Sequence, residues 1–328
     1  MTRKSDDSFE AVNYALRPSK VIARKVIFDC LRRARETLQE VSYEYVGMGS
    51  IWFVDFVMAH RALQIEKMTS IEASDIGYAR ARFNAPFACI RVKHGYTTDV
   101  LPTLGLDKRA TIIWLDYDTA IDDGPFIEDI DYLVDNVAPA SILLFTVNAE
   151  IGKLLRRINP QNPDKVRPKD VENHLMRRLG QSVPVQLTSD QLEPDTFASL
   201  VAGMLMSRIE NSLRRTSRNL QFAPMFNFVY RDGPRMATAG GMVGDDLLLN
   251  DIRKQTSRTG WPGIIPTPIQ APPLTLREKM AIDRLLPLAR RPSKLRVQQE
   301  AGFPLSTKQI DAYFRYYAHY PAFAEIYF

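Results

Sequence analysis

The stretch from Tyr43 to Asp55 reads YEYVGMGSIWFVD. A short apolar run, Tyr43–Val46, meets Gly47 and Gly49 and then a segment of helical length, Trp52–Leu63. A strand passing into a helix through two glycines is the start of a βαβ unit. Glycines there let the backbone turn sharply and approach a ligand, and the following helix N-terminus favours an anionic group. A tight strand–helix turn with no ligand satisfies the same pattern.

Working outward, the alternation continues. Apolar runs at Met68–Glu72, Ala88–Val92, Thr111–Asp116 and Ser141–Val147 are separated by helical stretches that include Asp75–Phe83 and Ile127–Asn136. Strands alternating with helices predict a mostly parallel sheet, and right-handed crossovers leave few topologies. Later, Phe222–Tyr230, the turn Arg231-Asp232-Gly233-Pro234 and Arg235–Met242 read as an antiparallel hairpin. The fold class is α/β: a Rossmann-like, doubly wound, mostly parallel sheet with a late antiparallel hairpin, an N-terminal helical cap and a small, mainly helical C-terminal region.

The cap is residues 1–40. Ala11–Gln39 reads as helix broken at Leu16-Arg17, with Pro18 in the first turn of the second piece. Residues 41–250 make the Rossmann-like domain, with a mainly helical insertion at about 151–219. Residues 251–273, rich in Pro, Thr and Gly, read as a linker. In 274–328, helices are predicted at Leu276–Leu288, Lys294–Ala301 and Thr307–Tyr317, and a strand at Phe323–Phe328.

Composition narrows the class. With 328 residues, 45% hydrophobic and 25% charged, the chain is neither disordered, collagen-like nor a coiled-coil rod. Two cysteines, Cys30 and Cys89, cannot build a disulfide framework, and four scattered histidines give no zinc-binding spacing. A protein-built metal site is therefore not expected. The start, MTRKSDDSFE, is not a signal peptide, and no apolar run approaches the ~20 residues that span a bilayer. The expectation is a cytoplasmic protein without a membrane partner. A net charge of +5 is compatible with an anionic partner without requiring one.

Three further places carry candidate chemistry. Glu72, ending the second strand in SIEAS, is placed to accept hydrogen bonds from a ribose diol. Asp116 and Asp118 end the strand in IIWLDYD, where open α/β sheets bind ligands. Either could orient a substrate hydroxyl, act as a base or hold a divalent ion. In a second reading Asp118 caps the next turn and only Asp116 lines a pocket. The turn after the third strand, with His94 and Gly95, is placed where an adenine or ribose is contacted, although His94 shows no acid partner in sequence.

Basic residues cluster twice. Arg17, Lys20, Arg24 and Lys25 form a helical stripe, and Arg17-Pro18-Ser19-Lys20 reads as an anion-recognition turn or as a solvated helix face. Near the C-terminus, helix–turn–helix spacing would present Lys308, Gln309, Tyr313 and Arg315, with Arg290, Arg291, Lys294 and Arg296 nearby, to a nucleic acid. The competing reading packs Tyr313, Phe314, Tyr316 and Tyr317 into a core or a subunit interface.

The order of glycine turn, acid after strand two, polar turn after strand three, aspartate after strand four and late hairpin looks like the class I S-adenosylmethionine-dependent methyltransferase fold. The phrases YVGMGSIWFVDF, SIEAS and IIWLDYD, preceded by NYALRPSKVIARK, resemble a bacterial family of O-methyltransferases over about residues 10–250. The resemblance implies S-adenosylmethionine as cofactor. Gly47, Gly49 and Ser50, with Val46 and Met48 in the same turn, would face its methionine part. Glu72 would hold the ribose, His94–Tyr96 would border the adenine, and Asp116 would face the sulfonium. Asp116 or Asp118 would orient an acceptor hydroxyl, with Arg17, Lys20 and Tyr117 contacting a small-molecule or nucleotide-like substrate. Nucleic-acid contact and a homo-oligomer stay open.

Two positions depart from the family's pattern. Its acid two residues before the first glycine is Tyr45 here, with Glu44 the nearest acid, and its third glycine is Ile51. No NPPY-like signature follows strand four, which argues against an adenine- or glutamine-N-methylating site, and LDYD at that position fits an oxygen or small-molecule acceptor better. The departure at Tyr45 favours a second reading, a methyltransferase-like module that senses a nucleotide or docks a partner without turnover. The missing third glycine disfavours a nicotinamide-dependent enzyme.

Overall fold

The computed structural model describes residues 17–231, 233–257, 261–263, 267–272, 274–287 and 294–321. Ala11–Leu16 of the predicted cap, Asp232 of the hairpin turn, Arg290, Arg291 and the predicted strand Phe323–Phe328 lie outside them, as do the side chains of Lys294 and Lys308.

The alternation becomes α1 (Pro18–Thr37), β1 (Glu44–Gly47), α2 (Val54–Leu63), β2 (Met68–Glu72), α3 (Asp75–Asn84), β3 (Ile90–His94), α4 (Thr97–Val100), β4 (Thr111–Ala120), α5 (Phe126–Asn136) and β5 (Ile142–Asn148). Then follow α6 (Ile151–Ile158), α7 (Pro168–Leu179), α8 (Pro194–Arg215), β6 (Gln221–Arg231), β7 (Arg235–Gly244), α9 (Asp246–Thr256) and β8 (Thr267–Ile269). The C-terminal helices are α10 (Leu276–Asp283), α11 (Lys294–Ala301) and α12 (Thr307–Tyr316).

Eight strands form one sheet in the order β3-β2-β1-β4-β5-β7-β6-β8. The first five pair in parallel, and β7 lies antiparallel between β5 and β6. The order reverses between β1 and β4, so the crevice beyond their carboxyl ends is the place where such sheets bind ligands. That crevice is where Gly47 and Asp116 were expected.

Two cores sandwich the sheet. On one side α5 and α8 bury Ile130, Leu133, Leu205 and Ile209 against Leu143, Phe145 and Val243. On the other, α1, α2 and α9 bury Ile27, Leu31, Phe56 and Ile252 against Tyr45, Ile112 and Leu144. The 22-residue α8 lies inside the segment read as an insertion, yet it is the crossover helix covering this face. The glycines of β7 are forced by close pairing: a Cβ on Gly240 would stand 1.9 Å from the Leu143 carbonyl oxygen.

Two sequence expectations shift. The segment read as a linker supplies the end of α9 and an extra edge strand, β8, beside β6. The strand expected to end at Asp116 continues to Ala120 through a register shift between those residues. Asp118 therefore belongs to an irregular strand and does not cap a helix. In the C-terminal region, Ile282, Val297, Leu305, Ile310 and Tyr313 form a small core of their own. Tyr313 donates to Asp283, and Tyr316 is buried in the main core beside α1, as the packing reading expects of those two tyrosines.

Candidate functional site

The β1–α2 turn is held at several points. The Gly49 amide donates to Ser70 Oγ at 3.0 Å, and the Phe53 amide to the Gly49 carbonyl at 2.9 Å. Ser50 and Phe53 both adopt left-handed backbone, with φ of 51° and 48°. Non-glycine residues pay for that conformation, and such strain recurs at functional turns. A Cβ on Gly49 would meet the Phe53 ring at 2.7 Å and Ser70 Oγ at 2.8 Å, and one on Gly47 would meet the Tyr45 ring at 3.1 Å. The chain's own side chains thus already require a glycine at position 49 and leave little room for a side chain at position 47. Val46 is buried in the core and Met48 packs against it, so their side chains support the turn. Ser50 Oγ is buried with no hydrogen-bond partner among the described residues.

Glu72 ends β2 beside this turn. Its Oε1 accepts from the Ser74 amide at 3.2 Å, and the carboxylate lies against Gly77 in the first turn of α3. Its register neighbour on β3 is His94. His94 does have an acid partner: Nε2 lies 3.2 Å from Asp75 Oδ1, and the ring stacks on Tyr78 at 4.9 Å between centroids. The sequence hid this pair because Asp75 belongs to a different element. Gly95 follows with φ of 139°, a conformation that glycine supplies at no cost.

On the other side of the reversal point, Asp116 Oδ2 lies 2.5 Å from Lys20 Nζ. The basic stripe of α1 is therefore not a solvated face. Lys20 and Arg24 are 5% and 6% exposed, while Arg17 is half-buried at the helix start. Burial pushes the Lys20 ammonium down from its ordinary range, with Asp116 opposing the shift and Arg24 and Arg17 adding to it. Asp118 is exposed. Tyr117, expected at the substrate, is a correction: it is buried in the core and its hydroxyl donates to Asp129 on α5. Tyr117 follows Asp116 directly along the strand, so alternation points it to the opposite face of the sheet.

Two residues escaped the sequence reading. Tyr45 is fully buried, and its hydroxyl donates to Asp55 Oδ2 at 2.7 Å from the first turn of α2. Burial raises the Asp55 carboxyl, while the charge of Arg24 holds it down. The departure at Tyr45 was the only signal available in sequence, since Asp55 reads simply as the first acid of a helix. Among the described residues no group of three or more His, Cys, Asp or Glu side chains is arranged to hold a metal ion.

The model of a family described as "Putative O-methyltransferase" matches residues 12–328. The chain belongs to this O-methyltransferase family. No curated protein matches its sequence significantly. Among solved structures similar to this family member is Trm1 from Pyrococcus horikoshii in complex with S-adenosyl-L-methionine, 10% identical with a TM-score of 0.45. That match covers 71% of this chain and 56% of Trm1, so the chain spans little more than half of that protein. TomG, an O-methyltransferase of tomaymycin synthesis from Streptomyces achromogenes in complex with SAM, is 14% identical with a TM-score of 0.35, covering 74% and 100% of the two chains. An O-methyltransferase from Bacillus cereus in complex with SAH is 12% identical with a TM-score of 0.35, covering 65% and 79%.

For this O-methyltransferase family member, the buried, unpartnered Ser50 Oγ is the observation that fits a polar ligand at the turn. Glu72 ends β2 beside this turn, and the Lys20–Asp116 pair lies on β4, the neighbour of β1 across the reversal point. No helix among the described residues is long and apolar enough to cross a membrane.

Proposed function

We propose that this chain transfers a methyl group from S-adenosylmethionine to an oxygen of a small acceptor. The observation that carries the reading is Ser50 Oγ, buried without a partner in the strained β1–α2 turn at the point where the strand order reverses. When bound, the cofactor supplies an electrophilic methyl group on a sulfonium that leaves as a neutral thioether, so positioning contributes more than acid–base help.

The chain's own residues do the positioning. Ser50 and the turn from Gly47 to Gly49 take the methionine part, Glu72 the ribose hydroxyls, and His94 and Gly95 border the adenine. Asp116, held by Lys20, faces the reacting side and orients the acceptor. Lys20 and Arg17 hold an anionic group of that acceptor. Asp118, exposed within the irregular stretch between Asp116 and Ala120, is the second carboxylate able to take a proton from an acceptor hydroxyl. The two free cysteines, Cys30 and Cys89, are in keeping with a cytoplasmic enzyme.

The crowding of Gly47 and Gly49 by Tyr45, Phe53 and Ser70 favours the second reading, a module of the same fold that binds without turnover. Calorimetric titration of the full chain with S-adenosylmethionine and S-adenosylhomocysteine, with NAD as control, tests the cofactor. Micromolar binding that is weakened in Glu72→Ala is expected. Binding of neither ligand would overturn the reading. Turnover of bound S-adenosylmethionine with an acceptor then separates the enzyme from the silent module.

A further inference from the structure

We propose that Asp55, acting through Tyr45, is a positioning residue that fixes the β1–α2 turn in its ligand-binding shape. The inference rests on the cofactor reading above and assigns part of that site to a pair of residues outside the turn itself.

The pair ties the two ends of the turn together. Tyr45 stands two residues before Gly47 on β1, and Asp55 is the second residue of α2. Their 2.7 Å hydrogen bond closes the chain over the intervening residues, which include both left-handed positions, Ser50 and Phe53. Tyr45 cannot swing away: its side chain is fully buried, packs edge-on against Phe56 at 5.0 Å, and its ring is what crowds Gly47. Phe56 in turn meets Phe53 at 5.4 Å, and Phe53 fills the space above Gly49. One continuous set of contacts therefore runs from the Asp55 carboxylate through Tyr45 and Phe56 to the turn that holds Ser50.

A third element adds a charge effect. Arg24 of α1 is buried and acts electrostatically on both Tyr45 and Asp55. A buried carboxylate that loses its donor keeps its desolvation cost, so the chain gains by holding Tyr45 and Asp55 together. The consequence is a turn whose strained residues are determined by their surroundings before any ligand arrives, and such preorganisation raises affinity without a new ligand contact.

The test is S-adenosylhomocysteine affinity in the full chain, measured for Tyr45→Phe, Asp55→Ala and the double variant. Each single variant should weaken binding at least about tenfold, and the double variant should be no worse than the weaker single one, because both remove the same tie. Additive losses, or folded variants that bind like the wild type while melting at a lower temperature, would overturn the inference and leave the pair merely structural. If Tyr45→Phe and Asp55→Ala yield no folded protein, Asp55→Asn decides, since its amide oxygen still accepts from Tyr45. Affinity within about threefold of the wild type supports the tie, and a tenfold loss shows that charge matters instead. A wild-type chain that binds no S-adenosylhomocysteine removes the cofactor reading and this inference with it. A wild-type chain that binds, with indifferent variants, removes the inference alone.

Discussion

The Lys20 ammonium lies 2.5 Å from Oδ2 of Asp116, joining the first helix to the fourth strand at the reversal point of the sheet. Lys20 is only 5% exposed and its partner side chain 21%. Two groups that were separate candidates in the sequence, an anion-binding lysine and a reacting aspartate, are thus one electrostatic unit.

Breaking that unit from its two sides has unequal costs. Asp116→Asn strips the carboxylate from a buried ammonium and is expected to destabilise by about 3 kcal/mol, the range found when one partner of a buried pair is removed. Lys20→Met also removes the buried charge and leaves Asp116 within reach of water, so a smaller loss of about 1 kcal/mol is expected. Urea midpoints of the two variants check the order. Equal midpoints would contradict the asymmetry, and midpoints matching the wild type would mean that the pair adds little to folding.

Asp129 makes stability depend on pH. It is 1% exposed, its Oδ2 accepts from the hydroxyls of Thr97 and Tyr117, and its Oδ1 has no partner among the described residues. Burial raises its carboxyl above the ordinary value of 3.8. The folded chain then keeps a proton that the unfolded chain has released. Its contribution is full below the unfolded value and is lost as pH rises through the folded one. Relative to Asp129→Asn, the wild type should lose stability as pH climbs from about 4 toward neutrality. A constant difference across that range would count against a raised Asp129.

Two glycine substitutions should have opposite signs. Gly240→Ala puts a methyl group 1.9 Å from the Leu143 carbonyl oxygen, and the backbone cannot retreat without opening the β5–β7 ladder. A loss of at least about 3 kcal/mol, or no soluble protein, is expected. Gly203→Ala, inside α8 with no atom within 4 Å of the new Cβ, should stabilise by up to about 1 kcal/mol. Thermal melts read both, and a stable Gly240→Ala protein would contradict the close pairing of β7.

Glu72→Ala addresses the ribose position. The side chain is half-buried at a strand end, so folding should be little changed. S-adenosylhomocysteine affinity should fall by about 1–3 kcal/mol if the carboxylate pairs with ribose hydroxyls. Unchanged affinity by calorimetry would take Glu72 out of the site.

Much of the architecture was legible because it is local. The runs around Val46, Ile71, Ile113 and Leu144 are short and apolar, and each is followed by a helical segment, so βαβ units could be read directly. Their ends were displaced by only a few residues, because boundaries rest on turn and cap details. The end of β4 escaped by four residues: beyond Asp116, polar Asp118 and Thr119 look like a loop, yet the sheet carries them on through the register shift. The short β8 escaped because Pro268 sits inside it, and a strand three residues long pairs only where β6 offers an edge. Tyr117 was misplaced because alternation points it away from Asp116, and the sequence cannot say that a core waits on that side.

The sequence by itself determined the α/β class, the glycine turn between a strand and a helix, and the placing of Glu72 and Asp116 on β2 and β4, since these follow from apolar periodicity and residue types. Tertiary structure decided the partners. It set Lys20 against Asp116, Tyr45 against Asp55 and His94 against Asp75, and placed β7 between β5 and β6. A local pattern states which face a side chain occupies. Which opposite charge or hydroxyl meets it depends on crossovers that bring distant elements together, and on the cost of burying any polar group left without a partner.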